Sequence, residues 1–174
     1  MGNRVPWAYL ALIRRGRYGR AMTTAFETWL KPKERGLYCA AGDFFIDPHL
    51  PVPRAVITHG HSDHARAGHD AVLATAETIA VMKVRMGEAC AGQFQPLDLG
   101  APLGIANVTV RLAPAGHILG SAQVVIDHRG QRAVVSGDYK RRPDPTAVSF
   151  EPVHCDLFVT EATFGLPVFR HEPD

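Results

Sequence analysis

Apolar and polar positions along the chain fall into short blocks, and from Leu37 onward those blocks read as strands with brief connections. Phe44-Phe45-Ile46 is an apolar run ended by Asp47-Pro48. Ala55-Val56-Ile57-Thr58 follows the Pro51-Val52-Pro53 turn, and Ala71-Val72-Leu73-Ala74 is the next run. Thr75 then caps a helix predicted over 76–86, with Glu77 in its first turn and Gly87 as its stop. Ile79, Met82 and Met86 share one face of it, a core-packing stripe. Val108, Val110 and Leu112 alternate with Thr109 and Arg111, the period of a half-buried strand. Val124-Val125-Ile126 and Ala133-Val134-Val135 flank Asp127-His128-Arg129-Gly130 and predict a hairpin. Leu157-Phe158-Val159 is the last clear strand. Many strands and few helices predict a sheet-rich, layered α/β fold.

Composition narrows the class. With 174 residues, 46% hydrophobic and 21% charged, the chain can bury a sizeable core and is not a disordered sequence. No apolar stretch reaches the ~18 residues of a membrane span. The three cysteines, Cys39, Cys90 and Cys155, are far apart and form no CxxC pair, which excludes a disulfide framework or a thiolate zinc site and points to a reducing, cytoplasmic setting. The net charge of +2 is unevenly spread: residues 1–35 carry +6 and residues 36–174 carry −4, so the body is not a bulk basic binder of nucleic acid. The apolar run Val5 to Ile13 precedes Arg14-Arg15-Gly16-Arg17, the reverse of a secretory signal. Residues 1–28 are therefore expected to be a basic extension.

The chemistry is concentrated in Thr58-His59-Gly60-His61-Ser62-Asp63-His64, directly after a buried strand. His59 and His61, two apart, face the same side of an extended segment. Asp63 and His64 follow where the chain is expected to turn into a helix. Imidazole with carboxylate is ligation suited to zinc, and also to manganese or iron. Gly60 and Ser62 keep the spacers small enough for the loop to wrap an ion. His117, Asp138 and Asp47 also sit at strand ends, His117 and Asp138 each after a glycine, although each taken alone reads first as a turn or cap residue. Lys140-Arg141-Arg142, just beyond Asp138, is either a phosphate-holding patch or an ordinary solvated turn. Phe164 is a candidate for base stacking or for the core.

His59-Gly60-His61-Ser62-Asp63-His64 resembles the signature of the metallo-β-lactamase fold superfamily, with Asp47, His117 and Asp138 in the order of its other site residues. Ala115-Gly116-His117-Ile118-Leu119-Gly120-Ser121-Ala122, Ser136-Gly137-Asp138-Tyr139-Lys140-Arg141 and Thr160-Glu161-Ala162-Thr163-Phe164-Gly165 resemble its β-CASP nuclease branch. Gly36-Leu37-Tyr38-Cys39 through Gly42-Asp43-Phe44-Phe45-Ile46-Asp47-Pro48 is similar to the bacterial ligase-associated DNA exonucleases. The resemblance runs from about Trp29 to Gly165. It implies an αββα sandwich of which residues 29–165 are the N-terminal part, with 166–174 at the start of an expected β-CASP region. Family members continue further and supply a late histidine, for which neither His154 nor His171 has the context.

The resemblance further implies two divalent ions, zinc or alternatively manganese. His59, His61 and His117 would hold one, Asp63 and His64 the other, and Asp138 would bridge them. Asp47 would orient the histidine loop from behind, and Glu161 would join the acid–base network. The pair would activate a bridging water for in-line attack on a phosphodiester. The implied function is a DNA exonuclease of repair type, linked to an ATP-dependent DNA ligase and a helicase, with no membrane partner. An RNA 3′-end processing nuclease of the same branch, a thioesterase- or lactamase-type hydrolase, and a product without activity are the alternatives.

Overall fold

A computed structural model describes residues 10–12 and 25–161. Two six-stranded sheets make up the fold among these residues. In the first, Leu30–Lys33 (β2), Gly36–Cys39 (β3) and Phe44–Ile46 (β4) run antiparallel in succession, and Arg54–Val56 (β5), His69–Ala74 (β6) and Ala91–Pro96 (β7) continue parallel to β4. In the second, Leu10–Leu12 (β1), Leu157–Thr160 (β12), Gln131–Val135 (β11), Ala122–His128 (β10), Val108–Pro114 (β9) and Pro102–Ile105 (β8) lie side by side in that order. Every neighbouring pair there is antiparallel except β11 with β12.

The alternation read from the sequence decides how the sheets stack. Val108, Val110 and Leu112 of β9, and Ala122, Val124 and Ile126 of β10, turn inward and meet Leu37, Cys39, Phe44, Ile46 and Val56 of the first sheet in one core. Each fully buried aliphatic side chain there contributes about 1.5–3 kcal/mol. The intervening residues, Ala113, Val125 and Val134, face the opposite side, where Val153, Cys155 and Phe158 pack on them. The other face of the first sheet is covered by a helix, Ala76–Met86 (α1), which places Ile79 and Met82 on Ala55, Ile57, Val72 and Ala74. The order is thus helix, sheet, sheet, then the 139–155 segment, the layering of a metallo-β-lactamase-like sandwich.

Local signals held where they were self-contained. Helix α1 has the predicted limits; Thr75 Oγ1 accepts from the Thr78 amide and the Gly87 N–H bonds the Lys83 carbonyl. The hairpin turns at Arg129 and Gly130, with φ of 50° and 78°, the mirror-image turn that matches strand twist. Strands β2, β7 and β8 were not anticipated, because their mostly exposed residues give no apolar alternation to read. The run 55–58 stops pairing as a strand at Val56, since Thr58 is captured by a side chain described below. No helix follows the histidine loop: residues 62–64 form a single turn, closed by the Ala65 N–H on the His61 carbonyl. Within the segment expected to be an extension, Leu10–Leu12 pairs with β12, and Phe26 is buried beside Trp29. Thr163, Phe164, Gly165 and His171 lie outside the described residues. Among the described residues, no helix is long and apolar enough to cross a membrane.

The thiols report this packing. Cys39 is fully buried and burial pushes it up to about 11, Cys90 is buried, and Cys155 is half-buried. Thiolate is the reactive form. Iodoacetamide at pH 8 should therefore label Cys155 in the native protein and reach Cys39 and Cys90 only after denaturation. Equal labelling of Cys39 and Cys155 in the native protein, read by mass spectrometry, would contradict the packing.

Candidate metal centre

Strand direction collects the site. β4 and β5 run parallel, so Asp47 and the 58–64 loop leave the first sheet at one edge. In the second sheet β9 and β11 are each antiparallel to β10, and β12 is parallel to β11, so these three run the same way. Their ends carry His117, Asp138 and Glu161. A bond from the Ala122 N–H to the Thr58 carbonyl (2.8 Å) ties the two edges together. Gly137 permits the closest approach: at φ 56°, a Cβ there would lie 2.6 Å from Thr58 Oγ1.

Asp47 organises the histidine loop from beneath. Its backbone is left-handed, φ 43°, which aspartate tolerates better than most residues. The buried carboxylate accepts the Thr58 N–H on Oδ1 (2.8 Å), and the Thr58 hydroxyl (2.6 Å) and His64 Nδ1–H (2.7 Å) on Oδ2. The Thr58 hydroxyl has one proton, already given to Asp47, so its oxygen accepts from His59 Nδ1 at 3.1 Å. That chain places the His59 proton on Nδ1 and leaves Nε2 as a lone pair aimed into the site. Burial first, then neighbouring His64, holds His59 down to about 2, so its ring is neutral.

Around that lone pair the other donors converge. His59 Nε2 lies 3.1 Å from His61 Nδ1, which lies 3.2 Å from His117 Nε2. Asp138 Oδ2 is 3.8 Å from His59 Nε2 and 3.6 Å from His117 Nε2. The other Asp138 oxygen, Oδ1, is 3.3 Å from His64 Nε2, and Asp63 Oδ2 is 3.7 Å from the same nitrogen. Two groups of ligand atoms result, His59–His61–His117–Asp138 and Asp63–His64–Asp138, each with all its atoms within 4.8 Å of one another. Asp138 is common to both.

These residues fit divalent metal. Ligand nitrogens ~2.0–2.1 Å from a tetrahedral zinc are ~3.3 Å apart, close to the observed spacings. One proton on His61 Nδ1 serves one of its two nitrogen contacts well, whereas a cation among the rings serves all three lone pairs. Burial also lowers His117, favouring the neutral ligand form. At the second group, burial opposes protonation of His64, but bonds to Asp138 and Asp47 outweigh it and raise the ring to about 10. The His64 contact in turn holds the Asp138 carboxyl below its ordinary range, as a carboxylate.

The structure brings Asp47, His59, His61, Asp63, His64, His117 and Asp138 together. Glu161 lies near enough for its charge to act on His117. Lys140 turns to Asp144, at 2.7 Å, and Arg141 and Arg142 are exposed on the same segment. Two residues were missed. Thr58 sets the His59 tautomer, and Ser121 Oγ accepts the His117 and Ile118 amides at 3.0 and 3.1 Å, shaping the loop under His117. Both stand inside the quoted sequence words, but a hydroxyl's partner is not legible from its neighbours.

No family model matches the chain. It is 34% identical over 146 residues to a probable DNA ligase of Opitutus terrae, covering 83% of this chain and 14% of that protein. To Ribonuclease TTHA0252 of Thermus thermophilus it is 30% identical over 151 residues, 70% of this chain and 34% of the relative. To Endoribonuclease YSH1 of Mycosarcoma maydis it is 29% identical, over 88% of this chain and 21% of the relative. The chain thus spans between 14% and 34% of the length of these relatives.

Metal analysis of the purified protein tests the site. Wild type should retain zinc or manganese after gel filtration, and His59→Ala/His61→Ala should lose it. Asp47→Ala, which frees Thr58 and His64, should weaken binding by roughly 10–100-fold, the usual cost of removing a partner behind the ligands. Equal metal in wild type and the double variant would remove the assignment.

Proposed function

We propose that the chain, whose motifs resemble the β-CASP nuclease branch of the metallo-β-lactamase superfamily and whose relatives include a ribonuclease and an endoribonuclease, forms the metal-binding part of a phosphodiesterase acting on nucleic acid. The observation that carries this is the pair of ligand groups sharing Asp138 at one rim of the sandwich. His59, His61 and His117 with Asp138 would hold one ion, and Asp63, His64 and Asp138 would hold the second. Zinc suits the imidazole-rich first group, with manganese as the alternative. Such ions supply Lewis acidity toward a phosphodiester and acidify water at neutral pH.

The residues of the chain do the rest. Asp47 and Thr58 keep the His59 lone pair aimed at the centre. Asp138, held ionised, offers one oxygen to each group. Half-exposed Asp63 stands at the open side of the second group, where it can orient an incoming water. Glu161, acting on His117 through its charge, supports the proton balance of the rim. Arg141 and Arg142, exposed beyond Asp138, would meet backbone phosphates, and Lys140 would join them on leaving Asp144.

DNA is the proposed substrate, in repair or end processing, with exonuclease action. The similarity to a probable DNA ligase supports this and a functional link to a DNA ligase; the ATP dependence of that ligase and the link to a helicase rest on the sequence resemblance alone. A second reading, RNA cleavage, is favoured by the relatives named as ribonuclease and endoribonuclease. Three cysteines far apart in the sequence, with no CxxC pair, support a cytoplasmic setting.

Labelled single-stranded DNA and RNA should be offered side by side, with zinc or manganese supplied. Faster digestion of DNA is expected, and Asp138→Asn should lower the rate at least 100-fold by removing the shared carboxylate, a loss of about 2.7 kcal/mol. Preference for RNA would exchange the two readings. Turnover of a thioester or β-lactam with neither nucleic acid cut would overturn both.

A further inference from the structure

Helix α1 reaches the backbone of both histidine-bearing loops, one from each end. At its start, Thr75 Oγ1 and Thr78 Oγ1 both donate to the Gly120 carbonyl, at 2.7 and 2.9 Å. Gly120 closes the turn that carries His117, and a Cβ there would lie 2.7 Å from Thr75 Oγ1 and from the Thr78 nitrogen. In its last turn, Arg85 Nη1 donates to the carbonyl of Gly60, the residue between His59 and His61. One turn earlier, Val81 packs where a Gly60 side chain would be, 2.5 Å from its Cβ position. The helix needs neither the Thr78 hydroxyl nor the Arg85 guanidinium for its own ends, which Thr75 and Gly87 already close.

The site needs such a restraint. His59 is buried and locked through Thr58, but His61 is exposed, and among the described residues its ring bonds His59 and His117. Its position therefore follows the backbone at Gly60. The position of His117 follows the backbone of its loop, through Ser121 and Gly120. Ile79 and Met82 fix α1 to the sheet, so a rigid element about 16 Å long, at ~1.5 Å per residue, spans the two carbonyls.

We infer that α1 is a brace for the metal centre, with Arg85 and Thr78 as positioning residues that hold the Gly60 and Gly120 carbonyls in register and so preset the His61–His117 separation. This rests on the metal-site reading above. Loosening either end makes the ion bear the ordering of a loop that the helix otherwise orders in advance.

Electrostatics alone predicts the opposite sign for one variant. Removing the Arg85 charge beside a cation site should tighten cation binding, whereas losing the brace should weaken it. Zinc affinity should be measured by chelator competition on the full chain, with melting temperature recorded in chelator. Arg85→Met and Thr78→Val should each lower zinc affinity by about tenfold or more, beyond any change that the metal-free melting temperature accounts for. Thr78→Ser, which keeps the hydroxyl, should bind zinc as wild type does. Undiminished affinity in both Arg85→Met and Thr78→Val, with zinc lost from His59→Ala/His61→Ala, overturns the brace and spares the site. An equal loss in Thr78→Ser and Thr78→Val also overturns it, since the hydroxyl would then be irrelevant. Zinc retained by the double histidine variant overturns the site reading, and the brace with it.

Discussion

One buried carboxylate governs the centre of this molecule. Asp47 accepts three hydrogen bonds, two from Thr58 and one from His64. A buried carboxylate is tolerable only when its lone pairs are met. Meeting them draws Thr58 out of the strand, assigns the Thr58 proton, and through it sets the tautomer of His59. It also orients the His64 ring so that Nε2 faces Asp138. Two histidines that belong to different ligand groups are thus aligned by one side chain that is itself a member of neither group.

The second constraint is directional. Ligands from both sheets meet because β4 and β5 in one and β9, β11 and β12 in the other deliver their ends to a common rim. The inward-facing aliphatics of β9 and β10 press the sheets together and so hold the two halves of the rim at bonding distance. The close approach at Gly137 is part of the same arrangement, since any side chain there would push the Asp138 loop away from Thr58. Packing in the core and geometry at the site are consequently one problem: a loss of inter-sheet contact separates His59 from His117 and Asp138.

Much of this was legible in the chain. The α1 limits followed from Thr75 and Gly87, and the apolar runs at 44–46, 71–74, 108–112, 124–126, 133–135 and 157–159 all lie within strands. Candidate ligands stood out because imidazoles and carboxylates clustered at run ends, where packing has no use for them. Strands β2, β7 and β8 were hidden: their pairing is set by partners distant in sequence, and exposed residues such as Gln93, Gln95 and Gly104 carry no apolar alternation. The helix expected after His64 also failed to form, because the chain must reach His69 within five residues to enter β6 beside β5.

The sequence by itself determined the local elements, the residue types able to bind metal and the kinship with β-CASP nucleases, because each is written in short stretches of neighbouring residues. Only the tertiary structure decided which oxygen of Asp47 or Asp138 meets which ring, where the His59 proton resides, and that one helix grips both loops. Those outcomes depend on pairings such as Arg85 with Gly60 and Thr78 with Gly120. Their partners lie 25 and 42 residues apart in the chain. Separations of that kind are closed only when sheet direction, register and core packing act together, so no local reading of propensity or spacing contains them.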